Sequence, residues 1–193
     1  MKTTKIIALF ALVFSFAFIS CKNDAKKAEK QTVSEPQTVH HGQASVKDNV
    51  SAANALQVAE SNKDFSTLVT AIKAAGVEDA VVNAGPLTIF APVNSAFDKL
   101  PEGTVKSLLK PENKSKLAFI LINHVAPANY PIKQLKKDAK KGRKLFMASG
   151  KYLNVENKDG EIYVGGTKII KSVKVSNGWI HVIGNVLVPT DNK

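Results

Sequence analysis

The part of the sequence with the most evident chemistry is a basic run at residues 133–144. It holds seven cationic side chains against one acid, Asp138, in a chain whose formal net charge is +11. Cations at this density repel one another unless solvent or an anionic partner surrounds them. The run therefore indicates either a solvated face or a surface that binds acidic polysaccharide, anionic lipid headgroups or an acidic extracellular protein. The cationic residues are Lys133, Lys136, Lys137, Lys140, Lys141, Arg143 and Lys144.

The single cysteine, Cys21, is a second residue with potential chemistry. One cysteine excludes an intramolecular disulfide and any zinc site that needs two thiolates. Residues 6–19 follow two lysines and are apolar apart from Ser15. They are too few to span a bilayer, which takes about 20 residues. This order is typical of a signal peptide.

The end of that segment, Phe-Ile-Ser-Cys at residues 18–21, resembles a bacterial lipobox. It departs from the usual pattern only at Phe18, where Leu is common. We therefore expect cleavage before Cys21 and attachment of lipid to its thiol. The alternative is an ordinary secreted protein with one buried cysteine.

Residues 22–50 read as a tether. They contain nine charged side chains and no Leu, Ile, Phe, Met, Trp or Tyr. A segment that buries so little apolar surface does not offset the entropy of ordering, so we expect a flexible coil with a reach of about 30 Å. We divide the chain into a signal peptide at 1–20, a lipidated cysteine and tether at 21–50, a folded domain at 51–190 and a tail at 191–193.

The residues directly after Cys21 bear on location. Lys22 follows the cysteine, and Asp does not occur before position 24. In this respect the sequence resembles lipoproteins that are sent to the outer membrane. We expect a lipid-anchored protein of a Gram-negative-type cell envelope, at the outer membrane, on its periplasmic or its surface-exposed side. An exported chain with only 9 Phe, 3 Tyr and 1 Trp is not expected to bind nucleic acid.

The histidines are the remaining candidates for chemistry. His124 and His181 could form an acid–base or metal pair, but His124 follows the apolar stripe of a predicted helix and His181 lies within a short apolar strand. We expect both to be hydrogen-bonded core residues. His40 and His41 lie in the tether, where two adjacent histidines make only a weak metal site. The sequence has neither a Gly-x-Ser-x-Gly nucleophile motif nor a Gly-rich phosphate loop, so we expect no enzyme, metal or cofactor.

The predicted secondary structure that must position these residues changes from helices to strands along the chain. Apolar periodicity predicts helices at 51–61, 65–75, 95–100, 104–109 and from Pro111 onward, with Asp64, Asn94 and Thr104 as N-caps. Short β-rich runs predict strands at 87–90, 145–148, 151–156, 161–164, 168–175, 179–183 and 185–188. Asp159-Gly160 and Asn177-Gly178 favour tight hairpin turns. Helices followed by strands indicate an α+β fold with an antiparallel sheet.

Three separate motifs then resemble those of fasciclin-like domains. The first is the run at residues 88–97, with Ala-Pro after an apolar strand, then Asn and a Phe three residues later; the second surrounds His124; the third is the run at residues 178–189. The sequence is identified on these motifs as a fasciclin-like domain, which implies N-terminal helices packed on an antiparallel β-sheet wedge. The motif residues are Thr88, Phe90, Ala91, Pro92, Asn94, Phe97, His124, Gly178, His181 and Pro189.

The resemblance also implies roles and shows two departures. Pro92 would end its strand, Asn94 would cap the next helix, and Phe97 would enter the core from that helix. Asn123 replaces the Tyr that is usual before His124, and Gly184 replaces a frequent Asp.

The function that this resemblance implies is a lipid-anchored, non-enzymatic adhesion or matrix-interaction module that binds an extracellular protein or acidic polysaccharide. The alternative is a small-ligand or metal-binding envelope lipoprotein. An apolar pocket with convergent polar groups would favour that alternative, and a flat basic face would favour adhesion.

Overall fold

The computed structural model describes residues 52–83 and 85–189. The predicted signal peptide, Cys21, the tether with His40 and His41, and the C-terminal tail lie outside the described residues. Within the two described ranges, no helix combines the length and apolar character that a membrane span requires.

Seven helices form in the described residues. The predicted helices near the N-terminus are confirmed, and two are additional: a short one before the first strand, and one that carries most of the basic run. Two of the predicted helices, at 65–75 and from Pro111 onward, are each preceded directly by a 3-10 turn. The helices are α1 (Ala55–Ser61), α2 (Ser66–Ala75), α3 (Glu78–Val82), α4 (Asn94–Phe97), α5 (Thr104–Leu108), α6 (Lys114–Ile122) and α7 (Ile132–Lys140), with 3-10 turns at Lys63–Phe65 and Pro111–Asn113.

The strands form one seven-stranded sheet in the order β2-β1-β7-β6-β5-β4-β3. The predicted α+β class is confirmed. The sheet is antiparallel except where β1 and β7 run parallel, a pairing that the long stretch of chain between these two strands permits. The strands are β1 (Leu87–Pro92), β2 (Val125–Ala126), β3 (Lys144–Phe146), β4 (Tyr152–Lys158), β5 (Glu161–Val164), β6 (Thr167–Val175) and β7 (Gly178–Ile183).

The two predicted hairpin turns have different outcomes. Asp159 and Gly160 have φ angles of 52° and 85° and join β4 to β5, as predicted. The turn between β6 and β7 is instead Ser176 and Asn177, one residue earlier than predicted. Gly178 already belongs to β7, where a Cβ would lie 1.8 Å from the carbonyl oxygen of Leu87.

The helix caps differ from the local prediction. Asp64 does not cap α2, since the side chain of Asn62 accepts its backbone N–H and caps the 3-10 turn there. Thr104 is the first residue of α5 and follows Gly103, so it makes no side-chain cap. Asn94 likewise does not cap its own helix α4. Its side chain accepts the N–H of Thr67 in α2 at 3.0 Å, across 27 residues.

The predicted strand at 185–188 does not form; this stretch is irregular. The backbone groups of Leu187 bond to side chains rather than to a neighbouring strand, which leaves no ladder there. Pro92 is the last residue of β1, and the next N–H, that of Val93, bonds to the carbonyl of Ile183. Pro92 therefore ends the strand, as expected from its missing N–H.

Two hydrophobic clusters share the central strands. One lies beneath α1, α2 and α6 and includes Ile89 and Ile180. The other lies between α7 and the outer strands and includes Phe90 and Ile183. Because β1 is buried along its whole length, it serves both clusters. Phe97 is only half-buried at the edge of the first cluster, and its neighbour Ala96 is the buried residue of α4, contrary to the expectation that Phe97 enters the core.

Candidate functional site

The first motif supplies the buried strand β1, which pairs with β2 and β7. Thr88 is completely buried on β1, and its hydroxyl donates to the carbonyl of Ala128 at 2.8 Å while accepting the N–H of Tyr130 at 2.9 Å. Phe90 is also fully buried and lies 5.5 Å from the ring of His181, centroid to centroid. Ala91 and Pro92 complete the buried strand. Thr88 therefore fixes residues 128–130 to β1.

His181 is a buried, neutral side chain on β7. Its Nε2 lies 2.7 Å from the carbonyl of Tyr130, which can only accept, so Nε2 carries the proton. Its Nδ1 then accepts the hydroxyl of Ser172 at 2.8 Å. Trp179 stacks nearly parallel to the imidazole at 6.4 Å. Burial lowers the pKa of His181 below its ordinary 6.5.

His124 has the opposite tautomer. Its Nδ1 lies 2.8 Å from the carbonyl of Ile120 and must donate, so its Nε2 accepts the backbone N–H of Leu187 at 2.8 Å. Burial lowers the pKa of His124 from 6.5 to about 4, and the bond to Ile120 only partly opposes that shift. The residue lies just beyond the end of α6, in the core as expected.

The departure at Asn123 has a structural role. This fully buried side chain donates from Nδ2 to the carbonyl of Leu187 at 2.9 Å and accepts the hydroxyl of Ser149 at 2.6 Å. Asn123 and His124 thus bind the carbonyl and the N–H of one residue. Together they attach the C-terminal segment 186–189 to the domain. At the second departure, Gly184, Lys99 donates to the carbonyl at 2.7 Å.

These bonds occupy all four ring nitrogens of His124 and His181. Each histidine serves a different backbone segment, and the structure does not bring them together as an acid–base pair. Within residues 52–83 and 85–189, no cluster of three or more His, Cys, Asp or Glu could hold a metal ion.

A small apolar pocket lies between α4, α5, α6 and segment 186–189. Its volume is about 160 Å³, and Phe97, Leu108, Ile120 and Val186 are among its lining residues. His124 also borders it, but both ring nitrogens already have partners. The pocket thus lacks the convergent polar groups that the small-ligand alternative requires.

The basic run forms a continuous exposed surface, which we call the basic segment (residues 133–144). Six of its cations extend over α7 and the turn that follows, and Lys144 begins β3; all seven are exposed. Leu135, on the opposite side of α7, is completely buried and fixes the helix to the outer strands. The only acid, Asp138, is buried and lies 3.6 Å from the guanidinium of Arg143.

An exposed aromatic pair adjoins this segment and was not anticipated from the sequence. Phe146 and Tyr152 are opposite each other on β3 and β4, with ring centroids 5.4 Å apart. The alternation of Lys144, Leu145 and Phe146 could have indicated it, because only Leu145 faces the core. The other two side chains must point to solvent.

The profile of the Fasciclin domain family matches residues 63–189, two thirds of the chain and nearly all of the described domain. The chain belongs to the fasciclin family. It is 44% identical over 140 residues to the protein sll1483 of Synechocystis sp.. This match covers 72% of this chain and 75% of sll1483. It is also 32% identical to the immunogenic protein MPB70 of Mycobacterium bovis, over 68% of this chain and 67% of that protein.

Larger animal proteins contain similar fasciclin domains. The transforming growth factor-beta-induced protein ig-h3 of Sus scrofa is 32% identical over 72% of this chain, which spans 20% of that protein. Among solved structures, a FAS1 domain pair from the insect cell adhesion molecule fasciclin I has a TM-score of 0.63 at 23% identity. The match covers 71% of this chain and 51% of that one. This likeness confirms the predicted fasciclin fold.

Proposed function

We propose that this protein is an adhesion module of the bacterial cell envelope, anchored by lipid at Cys21, that binds acidic polysaccharide through the basic segment. Membership of the fasciclin family supports an adhesion-type module, because this is in general a family of non-enzymatic adhesion domains.

The observation that carries the proposal is the separation of charges in the basic segment. Its seven cations are exposed, whereas its one carboxylate, on Asp138, is buried and also accepts from Gln134 at 2.9 Å. The acid therefore neutralises little of the outer face. Like charges three or four positions apart on a helix destabilise it by about 0.2–0.5 kcal/mol per pair. An anionic partner would relieve this repulsion.

A polysaccharide matches the shape of the charged surface. Lys133, Lys137 and Lys140 follow one another along α7 at spacings of four and three residues, so they lie on one side of the helix. The cations continue beyond the helix through Arg143 to Lys144. Regularly repeated carboxylates on an extended polymer can contact several of these cations at once. Multiple contacts of this kind give avidity that a single anion lacks.

The anchor and tether complete the proposed function. Lipid at Cys21 would hold the protein at the outer membrane, and a tether of 29 residues would let the domain move about 30 Å from it. A domain at that distance can contact polymers of the envelope or the surrounding matrix. The basic segment then supplies the adhesive contact.

The test uses the full chain in a neutral detergent and immobilised polygalacturonate as the acidic polysaccharide. We expect binding that weakens steadily as salt rises from about 0.01 M to about 1 M, because the screening length falls from about 30 Å to about 3 Å. A variant with Lys136→Glu, Lys140→Glu and Lys141→Glu should lose most of this binding. It should unfold at nearly the same temperature, since all three side chains are exposed.

A matched control separates the segment from the total charge. The exposed residues Lys106, Lys116 and Lys174 lie on other elements, and changing these three to Glu alters the net charge equally. This control should retain most of the binding. Equal loss in both triple variants, or no binding by the unmodified protein at low salt, would contradict the proposal.

A further inference from the structure

The outward face of β3 and β4 carries an unusual combination of exposed side chains. Tyr152 is 59% exposed and Phe146 44% exposed, and their rings contact each other across the two strands. Lys144 and Asn154 form the next outward pair in the register. Leu145 and Leu153 lie between them on the other face and pack into the core. Two aromatic rings, a cation and an amide therefore share one rigid, solvent-facing surface.

A cleft opens directly beside these side chains. Tyr152, Asn154 and Lys144 line one side, and the C-terminal segment 186–189 with the turn at Gly165 and Gly166 forms the other. Its volume is about 680 Å³, far larger than the apolar pocket. Asn123 also borders the cleft and binds the carbonyl of Leu187, which fixes the wall opposite β4.

We propose that this cleft is a sugar-binding site for a uronic-acid residue of the acidic polysaccharide, in which Tyr152 stacks against the sugar ring. This inference rests on the proposed function and deepens it. The face of a pyranose that carries C–H groups packs on an aromatic ring through dispersion and apolar burial. Phe146 supports the ring of Tyr152 from across the strand pair. Asn154 offers both a donor and an acceptor to sugar hydroxyls.

Charge orients the sugar within the cleft. Lys144 is the last cation of the basic segment and lies at the β3 side, where it can bind the sugar carboxylate. Glu156 lies two residues beyond Asn154 on the same outward face and binds Lys158 at 2.6 Å. A carboxylate would be repelled by Glu156 and attracted by Lys144 and by Lys151, which also lines the cleft. The carboxylate end of the sugar therefore points away from Glu156, and binding at Lys144 lets the polymer continue along α7.

This arrangement distinguishes sugar recognition from simple anion binding. The basic segment alone would bind any flexible polyanion of similar charge density, because screened charge attraction does not depend on the polymer backbone. An aromatic ring adds affinity only for a ligand with a ring face to cover it. The aromatic pair therefore predicts a preference for acidic polysaccharide over a polyanion without sugar rings.

The experiment compares two polyanions on the full chain in neutral detergent: polygalacturonate, which has sugar rings, and polyglutamate, which has none. We expect Tyr152→Ala to weaken polygalacturonate binding by about tenfold and to leave polyglutamate binding unchanged. Tyr152→Phe, which keeps the ring, should retain most of the affinity. Ile170→Ala is the matched control, because Ile170 is also 59% exposed and lies on β6, away from the cleft.

The outcomes separate this inference from the proposed function. Binding of polygalacturonate that Tyr152→Ala leaves unchanged would overturn the sugar site while leaving the electrostatic adhesion intact. Equal weakening of polygalacturonate and polyglutamate by Tyr152→Ala would overturn it too, since the effect would not depend on a sugar ring. Absence of binding to either polyanion would overturn both proposals. Loss confined to polygalacturonate, with Ile170→Ala unaffected, would support the site.

Discussion

The imidazole of His124 accepts the backbone N–H of Leu187 at 2.8 Å, although 63 residues separate them in the chain. The other ring nitrogen donates to Ile120 at the end of α6. One neutral histidine therefore joins α6 to the C-terminal segment 186–189. This bond requires Nε2 without a proton, and that requirement makes the stability of the domain sensitive to acid.

The first prediction concerns pH. In the folded protein the pKa of His124 is about 4, against 6.5 in its ordinary state, so the unfolded chain binds the proton first as pH falls. The stabilisation is fully present above pH 6.5 and is lost between pH 6.5 and about 4. The loss should be about 3 kcal/mol, at about 1.4 kcal/mol per pKa unit. Burial also lowers the pKa of His181, so protonation of this residue should add to the loss of stability in acid.

Urea unfolding at a series of pH values measures this loss. His124→Gln, which cannot titrate in this range, should have a flatter profile than the unmodified protein. If the free energy of unfolding of His124→Gln falls with pH as steeply as that of the unmodified protein, other groups cause the acid sensitivity.

The second prediction concerns the same side chain at neutral pH. His124→Ala leaves the N–H of Leu187 and the carbonyl of Ile120 without their partner. The free energy of unfolding should fall by about 1–3 kcal/mol, measured by urea denaturation. Binding of polyglutamate should not change, because it depends on the charge of the basic segment alone. A variant of normal stability that has lost polyglutamate binding would show that His124 acts in a ligand site.

The third prediction tests the cap that Asn94 supplies to α2. Its Oδ1 accepts from Thr67, and its Nδ2 donates to Lys63 and to the hydroxyl of Ser66. Asn94→Ala should cost about 1–2 kcal/mol, toward the upper end for a lost cap because it removes all three bonds. Asn94→Asp keeps the acceptor and should cost less. Equal losses in both variants would show that the two donated bonds dominate.

The fourth prediction concerns the close approach of the Gly178 backbone to the backbone of Leu87. Its φ is 143°, and a Cβ there would lie 1.8 Å from the oxygen of Leu87. Gly178→Ala should therefore separate β1 from β7 locally and lower the stability by more than about 3 kcal/mol. Gly184→Ala is a suitable control, since the nearest atom, on Ile170, is at 3.6 Å. Similar melting temperatures for the two variants would contradict this close approach of Gly178 to Leu87.

The fifth prediction tests the anchor. Cys21→Ser removes the thiol that would carry lipid, so the protein should move from the membrane fraction to the soluble periplasm or the medium. Cell fractionation measures this change. Mass spectrometry of the unmodified protein should find a mature N-terminus at Cys21 with acyl chains attached. A Cys21→Ser protein that stays wholly in the membrane fraction would exclude lipidation at this residue.

Local sequence patterns were sufficient for much of the fold. The i, i+3, i+4 pattern of α2 and the Asp159-Gly160 turn both describe interactions within a few residues, and both were predicted correctly. The fasciclin motifs also identified the family. The predicted cap of α4 was wrong because the side chain of Asn94 bonds to Thr67, 27 residues earlier, and no local rule can indicate that partner. The parallel pairing of β1 with β7 is long-range in the same way.

The same distinction between local patterns and long-range contacts applies to the candidate site. The basic segment was evident from composition, and its exposure follows from one buried face of α7 at Leu135. The cleft was not evident, because one wall comes from segment 186–189, whose position depends on Asn123 and His124. A pattern within β4 can place Tyr152 outward, but it cannot show which other part of the chain lies opposite.

The parallel pairing of β1 with β7 also has a consequence for how the domain is made. Leu87 of β1 pairs with Gly178 of β7, so β1 can pair with β7 only after nearly the whole domain has been synthesised. Contacts this distant in sequence slow folding, because a long loop must close first. Folding of the domain should therefore be slow relative to the emergence of its N-terminal part. If Cys21 carries the proposed lipid, this delay would leave time for the N-terminus to be cut and modified before the domain becomes compact.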